Sequence, residues 1–314
     1  MTDMTKSLSL HLGLIALLLA LNWLLPAYHH GNLARIMVLA IYAIGYNVAF
    51  GYTGLLSLGH AMFFAAGMYG MALTVRHLGW SPAPALIAGI LSGFALSVIV
   101  GLLALRTSGV AFMIVTLMFA QSVFLIILYF TEYTRGDEGF VIQQAQRVMG
   151  GIDLSEVHNR YLAALLGFGA CLMLTWFLIG HPFGKTLIAI RENEERARML
   201  GYNVYLHKLG AVVISGTISA TAGALYGLLF GYAGATFATV QYSIFPLLWV
   251  LLGGAGTLLG PFVGTLFMFY LIDFTSEITT AYMLVAGVAL VLLTLFAPQG
   301  FMGELRKRAF GWLP

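Results

Sequence analysis

Ten apolar runs separated by short polar or glycine-rich segments make up most of the chain: residues 8–25, 33–50, 55–75, 83–105, 109–130, 161–180, 209–232, 240–258, 260–275 and 278–297. Most approach the ~20 residues with which a helix crosses a bilayer. Lipid offers no partner to a backbone N–H or C=O, so a spanning segment is either a helix or a strand of a closed barrel. Barrel strands alternate apolar and polar positions, whereas these runs are continuous. The pattern predicts an all-α polytopic membrane protein with about 8–10 transmembrane helices. The first run lacks a small-x-small cleavage site before Tyr28 and is followed by further runs, so it reads as a retained helix rather than a signal peptide.

Two polar stretches interrupt the pattern. Residues 181–208, HPFGKTLIAIRENEERARMLGYNVYLHK, carry eight of the chain's 27 formally charged residues. Placing this stretch in the cytoplasm and alternating outward puts both termini inside. Ten basic residues then fall inside (Lys6, Arg106, Lys185, Arg191, Arg196, Arg198, Lys208, Arg306, Lys307, Arg308) and five outside (Arg35, Arg76, Arg135, Arg147, Arg160). That bias follows the positive-inside rule. Residues 131–160 become an extracytoplasmic loop, either a small lobe or plain solvated chain. Within the cytoplasmic stretch, Lys185 to Leu200 has strong helix formers and no interior Gly or Pro. Gly201 follows as a left-handed helix stop. Leu187, Ile190, Ala197 and Leu200 share a face. Such a helix lies on the membrane surface or seats in a partner's groove.

Composition sharpens the picture. The chain is 60% hydrophobic and only 9% charged, with a mean hydropathy of +0.92, against about 25% charged residues in soluble domains. No Asp, Glu, Lys or Arg falls in the middle of a run. Arg35 and Arg76 sit at run ends, where they snorkel, and Asp273 and Glu277 flank the outer end of the ninth run. Ion-coupled transporters place such groups within their spans. His60 is the one ionisable side chain near a run interior, and a lone histidine reads as a hydrogen-bonded packing residue before it reads as a relay. Energy for uphill movement must therefore come from outside the chain. GHPFGKT (180–186) is one residue short of a P-loop, follows a span instead of a strand and is stiffened by Pro182, so it is rejected as a nucleotide site. No paired carboxylates, catalytic triad or Cys/His cluster occurs, and Cys171 is the single cysteine. Neither an enzyme, a metal site nor a disulfide framework is expected. A net charge of +3 is too small to suggest nucleic acid.

GYTGLLSLGH (51–60) and LGGAGTLLGPFVG (252–264) are both glycine-rich breaks between runs. Paired interruptions of this kind mark a translocation path, or they mark close helix packing through small residues; both readings stay open. Ser57, Gly59, His60, Phe63, Gly253 and Gly254 are the candidates for a substrate path. Helix ends at such breaks offer N–H groups to a carboxylate.

Glu195-Arg196-Ala197-x-x-x-Gly201 resembles the E-A-A-x-x-x-G signature of ABC importer permeases, with Arg196 in place of the first alanine. GYTGLLSLGHAMFFAAGMYG (51–70), RTSGVAFMIVTLMFAQ (106–121), PFGKTLIAIRENEERARMLGYNV (182–204), GGAGTLLGPFVG (253–264) and LFAPQGFMG (295–303) together resemble the M-type membrane subunits of branched-chain amino acid ABC transporters. The resemblance spans residues 35 to 303. It implies an importer permease in a bacterial inner membrane. It also implies two ATP-binding subunits, a second homologous permease and an extracytoplasmic solute-binding protein. ATP would sit on the partner subunits, and no cofactor on this chain. Residues 181–208 would be the coupling loop, with Arg191, Glu192, Glu194, Glu195, Ala197 and Gly201 coupling to the ATPase. Leucine, isoleucine and valine are the implied solutes. Relatives for urea and short amides share the same blocks. From the residues alone, a stand-alone channel or facilitator is the alternative of another class.

Overall fold

A computed structural model describes residues 3–308. The chain termini, which the sequence places in the cytoplasm, extend beyond the described residues. The helices are α1 (Asp3–Leu24), α2 (Ala27–Asn47, continued by a π turn over Val48–Tyr52), α3 (Ala61–Leu78), α4 (Pro82–Ala104), α5 (Gly109–Tyr129), α6 (Thr131–Thr134), α7 (Val157–Gly180), α8 (Pro182–Glu192), α9 (Glu194–Met199), α10 (Val204–Phe230), α11 (Val240–Gly253), α12 (Gly260–Ile278), α13 (Tyr282–Phe296) and α14 (Gly300–Arg308). The protein is an all-α polytopic membrane protein. Six of its described helical stretches are long and apolar enough to cross a bilayer: Lys6–Leu24, Tyr28–Tyr52, Pro82–Ala104, Gly109–Tyr129, Val157–Gly180 and Val204–Phe230. The other four apolar runs correspond to α3, α11, α12 and α13.

Burial sorts these helices. Tyr28–Tyr52 is 89% buried and Val204–Phe230 72%, against 22–33% for the other four long spans. The first two are therefore the core, and α1, α4, α5 and α7 turn apolar side chains such as Leu17, Leu91, Ile114 and Leu166 outward. Helix association in lipid depends on close packing through small residues, and α3, α4 and α10 meet in this way. A Cβ on Gly67 or Gly223 would overlap a backbone carbonyl of the facing helix, and one on Gly93 would overlap Ala220. Buried α2 carries Tyr42, Tyr46 and Asn47 inside an otherwise apolar core. Pro246 interrupts α11 and cannot donate to the carbonyl of Tyr242. The Tyr42 hydroxyl donates to that carbonyl instead, at 3.2 Å.

Three boundaries differ from the sequence expectation. Helix α10 begins at Val204, so Lys208 belongs to it and not to the loop; the Asn203 side chain caps it by accepting from the Leu206 N–H at 3.1 Å. The run at 55–75 is not helical until Ala61, and the run at 240–258 stops at Gly253. Residues 131–156 form a compact lobe. Phe140–Val141 pairs antiparallel with Tyr232–Ala233, and Val148–Met149 with Ile152–Asp153. Gly150 and Gly151, at φ 58° and 86°, supply the two positive φ angles of a tight hairpin.

Candidate functional site

The charged segment is two helices, not the single one expected over Lys185 to Leu200. Pro182 opens α8 at a position where its missing N–H costs nothing. Asn193 then turns extended, at φ −159°. Its side chain accepts from the Arg196 N–H at 2.8 Å and caps α9. Glu194 and Glu195 fill the first turn and Arg198 the last, matching the helix dipole. Gly201, at φ 88°, ends the segment as expected. Leu187, Ile190 and Ala197 are buried, but the break rotates Leu200 off their face and leaves it 70% exposed. Glu194 pairs with Arg198 at 3.2 Å and with Lys208 of α10. The Glu192, Glu195 and Arg196 side chains point to solvent beside exposed Met199, Leu200 and Tyr202.

Behind this segment lie the two glycine-rich breaks. The π turn Val48–Tyr52 ends α2, and Gly54, at φ 76°, turns the chain back into the bundle in extended form. Along that stretch the Tyr46 hydroxyl donates to the Ser57 carbonyl at 3.0 Å. Gly59 presses on the Thr116 carbonyl so closely that no Cβ fits. The Ser215 hydroxyl donates to the Gly45 carbonyl at 2.5 Å, which leaves it to accept from His60 Nε2 at 2.8 Å. His60 Nδ1 has no partner among the described residues. In the second break Gly254 has φ 119°. The Thr257 hydroxyl donates to the Gly254 carbonyl at 2.7 Å and accepts from the Gly260 N–H at 3.2 Å. Gly253 packs against the Gly260 carbonyl with no room for a Cβ.

The breaks meet. Asn47 Nδ2 donates to the Thr257 carbonyl at 2.9 Å, and Asn47 Oδ1 accepts from the Gly256 N–H at 3.0 Å. Arg191 of α8 reaches the same place, donating through Nη1 to the Gly51 carbonyl. Two cavities flank it. One, of about 720 Å³, is lined by Thr53, Gly54, Thr107, Glu194 and Lys208; the other, of about 650 Å³, by Gly256, Gln299, Arg306 and Lys307; Arg191 lines both. A third, of about 280 Å³, is walled by Tyr226, Phe237, Tyr242, Phe245, Trp249 and Phe269.

Of the sequence-predicted residues, Arg191, Glu192, Glu194 and Gly201 line the largest of these cavities. Ala197 is buried and Glu195 is exposed. Ser57, Gly59 and His60 lie in the first break, Phe63 in the first turn of α3, and Gly253 and Gly254 in the second break; all six are buried, and none of them lines the three cavities. Asn47 was not singled out from the sequence; its signal was a lone amide just before the first glycine break. Among the described residues no cluster of three or more His, Cys, Asp or Glu could hold a metal ion. Lys185 of the near-P-loop lies within α8, so no phosphate cradle forms.

At the other end of the bundle the lobe is tied to α10. Arg147 Nη1 donates to the Leu229 carbonyl at 3.2 Å, and the Ile142 N–H to the Gly231 carbonyl at 2.8 Å. Arg35 and Arg160 lie over the Phe230 ring at 5.1 and 5.7 Å, and Arg76 over Phe140 at 4.5 Å. The Asp153 carboxyl is held down at about 2, chiefly by the Ser155 hydroxyl and the Gln144 amide.

A family model described as the branched-chain amino acid transport system / permease component matches residues 30–295. The chain is similar to the high-affinity branched-chain amino acid transport system permease protein LivM of Escherichia coli (strain K12), at 29% identity over 298 residues, covering 87% of this chain and 69% of that protein. It is also similar to the permease protein LivH of the same system and organism, at 24% identity, covering 84% of this chain and 91% of LivH. A shorter match, 31% identical over 113 residues, is to the autoinducer 2 import system permease protein LsrC of Klebsiella pneumoniae, and covers 34% of this chain and 31% of LsrC. No solved structure matches the chain.

Proposed function

The chain belongs to the branched-chain amino acid transport permease family, and on that premise we propose that it is the membrane permease subunit of a bacterial ABC importer for leucine, isoleucine and valine. It works beside a second, homologous permease, two ATP-binding subunits and an extracytoplasmic solute-binding protein. It lies in the inner membrane with residues 181–208 and both termini in the cytoplasm. Residues 131–160 face the binding protein.

The observation that carries this reading is the form of the charged segment. The bundle carries a charged helix pair, α8 opened by Pro182 and α9 capped by Asn193. That pair buries Leu187, Ile190 and Ala197 against the bundle and holds Glu192, Glu195, Arg196, Met199 and Leu200 outward. Charged groups rimming exposed apolar side chains form a surface that fits a partner's cleft. ATP favours the closed arrangement of the partner subunits because it binds that arrangement better. The helix pair follows the closure, and the breaks behind it transmit the shift to the path through Ser57, Gly59, His60, Phe63, Gly253 and Gly254.

The test is a double variant, Glu195→Lys with Gly201→Pro. The first reverses a charge on the docking face. The second removes the φ of 88° that proline cannot adopt. Membrane insertion is expected to persist while leucine uptake and copurification of an ATPase are lost. Uptake at the wild-type rate would overturn the docking role. Competition in vesicles selects the solute: inhibition of leucine uptake by isoleucine and valine but not by urea is expected, and the reverse would make this a urea or amide permease. Equal transport with and without ATP-binding subunits would make it a stand-alone channel.

A further inference from the structure

We infer that Arg191 is a positioning residue that locks the charged segment to both glycine-rich breaks, so that segment and breaks move as one body. The inference rests on the importer reading above and assigns the point where motion passes from the loop to the path.

Arg191 differs from every other basic residue in its segment. Arg198 and Lys208 both pair with Glu194, within residues 181–208. Among the described residues, Arg191 is the basic side chain of that segment that hydrogen-bonds beyond it, to the Gly51 carbonyl, 140 positions away in sequence. Gly51 lies in the π turn that ends α2. The last carbonyls of a helix lack intrahelical donors and carry the negative end of its dipole, so a guanidinium there makes a charge-assisted bond to a group that needs one.

The same side chain touches the second break. A Cβ on Gly256 would stand 2.6 Å from Arg191 Nη1, and one on Gly54 would stand 3.2 Å from Arg191 Cγ. Both glycines have φ 76°. The head of Arg191 is thus in contact with residues 51 and 256, and its stem with residue 54. Asn47 closes the circuit by bonding Gly256 and Thr257 from α2. Displacing α8 therefore drags the end of α2 and the loop between α11 and α12 together. Arg191 also lines both large cavities. One guanidinium nitrogen, Nη1, bonds Gly51 and packs against Gly256, held there by a planar group that the flexible point charge of a lysine lacks.

The experiment uses the tagged chain purified with the partner subunits that accompany it and reconstituted in proteoliposomes. The readout is leucine taken up per ATP hydrolysed, for wild type, Arg191→Met and Arg191→Lys. Methionine keeps an apolar stem and removes the donors. The expectation is an assembled Arg191→Met complex that hydrolyses ATP but moves about tenfold less leucine per ATP, with Arg191→Lys intermediate. A ratio within about twofold of wild type for Arg191→Met overturns the lock. If Arg191→Met does not assemble, Arg191→Lys decides: a lowered ratio with ATPase retained supports the lock, and an unchanged ratio overturns it. A wild-type complex without ATP-dependent leucine uptake refutes the importer reading instead, so the two failures are distinct.

Discussion

Asn47 concentrates the residue-scale energetics of the bridge. It is 2% exposed in a helix otherwise lined by apolar and aromatic side chains, and its amide both donates to and accepts from the second break. Truncation to alanine strands the Thr257 carbonyl inside the bundle and removes the partner of the Gly256 N–H, which lines the second cavity. A stranded buried group costs about 1–3 kcal/mol, so Asn47→Ala is expected to lower the midpoint of thermal unfolding, followed by tryptophan fluorescence in detergent. An unchanged midpoint would remove Asn47 from the bridge. At this scale the sequence was legible wherever chemistry is local. His60 read as a hydrogen-bonded packing residue, and it donates to Ser215. Gly201 read as a left-handed stop, and it is one. Arg191 read as one more charge facing the ATPase, because nothing near it in sequence reveals that Gly51 and Gly256 wait 140 and 65 positions away. Arginine pairs with distant carbonyls only once the fold has delivered them.

Elements depend on where backbones can approach. Helices α3, α4 and α10 are close-packed at Gly67, Gly93 and Gly223, so the added methyl of Gly67→Ala meets the rigid carbonyl of Ala220. Overpacking of this kind costs about 1–3 kcal/mol. The variant is expected to lower both the yield of monodisperse protein and its unfolding temperature. Gly13→Ala in α1 meets nothing within 4 Å, and alanine is the better helix former, so it is expected to leave both unchanged or slightly raised. Equal behaviour of the two variants would contradict the packing described. The existence of the helices was legible as continuous apolar runs. Their ends were less so. Helix α2 starts at Ala27, after extended Pro26, and so takes in polar His30, whose ring meets the Asn22 carbonyl at 2.8 Å, a satisfaction invisible in a hydropathy pattern. The break at Asn193 was readable in principle, since Asn followed by Glu194 and Glu195 is a helix-start sequence; the uninterrupted run of helix formers around it masked the signal.

The whole molecule places its two polar regions at opposite ends of α7, whose 24 residues rise about 36 Å. That distance exceeds the roughly 30 Å hydrocarbon core, so the lobe and the charged segment belong on opposite faces of the membrane. The proposed orientation puts the charged segment on the cytoplasmic face, in line with the positive-inside bias. Cys171 is the single cysteine and is buried, so the natural chain is a silent background for thiol labelling. Val141 in the lobe is 73% exposed and Leu200 beside α9 is 70% exposed. In cells with a permeabilised outer envelope and an intact inner membrane, a membrane-impermeant maleimide is expected to label Val141→Cys and to leave both wild type and Leu200→Cys unlabelled. Opening the inner membrane exposes Leu200→Cys. Labelling of both variants from one side would mean that α7 does not cross, and labelling in the reverse order would invert the assignment of the charged segment. Co-expressed ATP-binding subunits add a second arm. Leu200 lies on the proposed docking face and Val141 at the far end, so the subunits should slow labelling at position 200 and leave position 141 unaffected. Protection at neither position would leave the exposed apolar tip of α9 without its partner and move the docking surface elsewhere on the molecule.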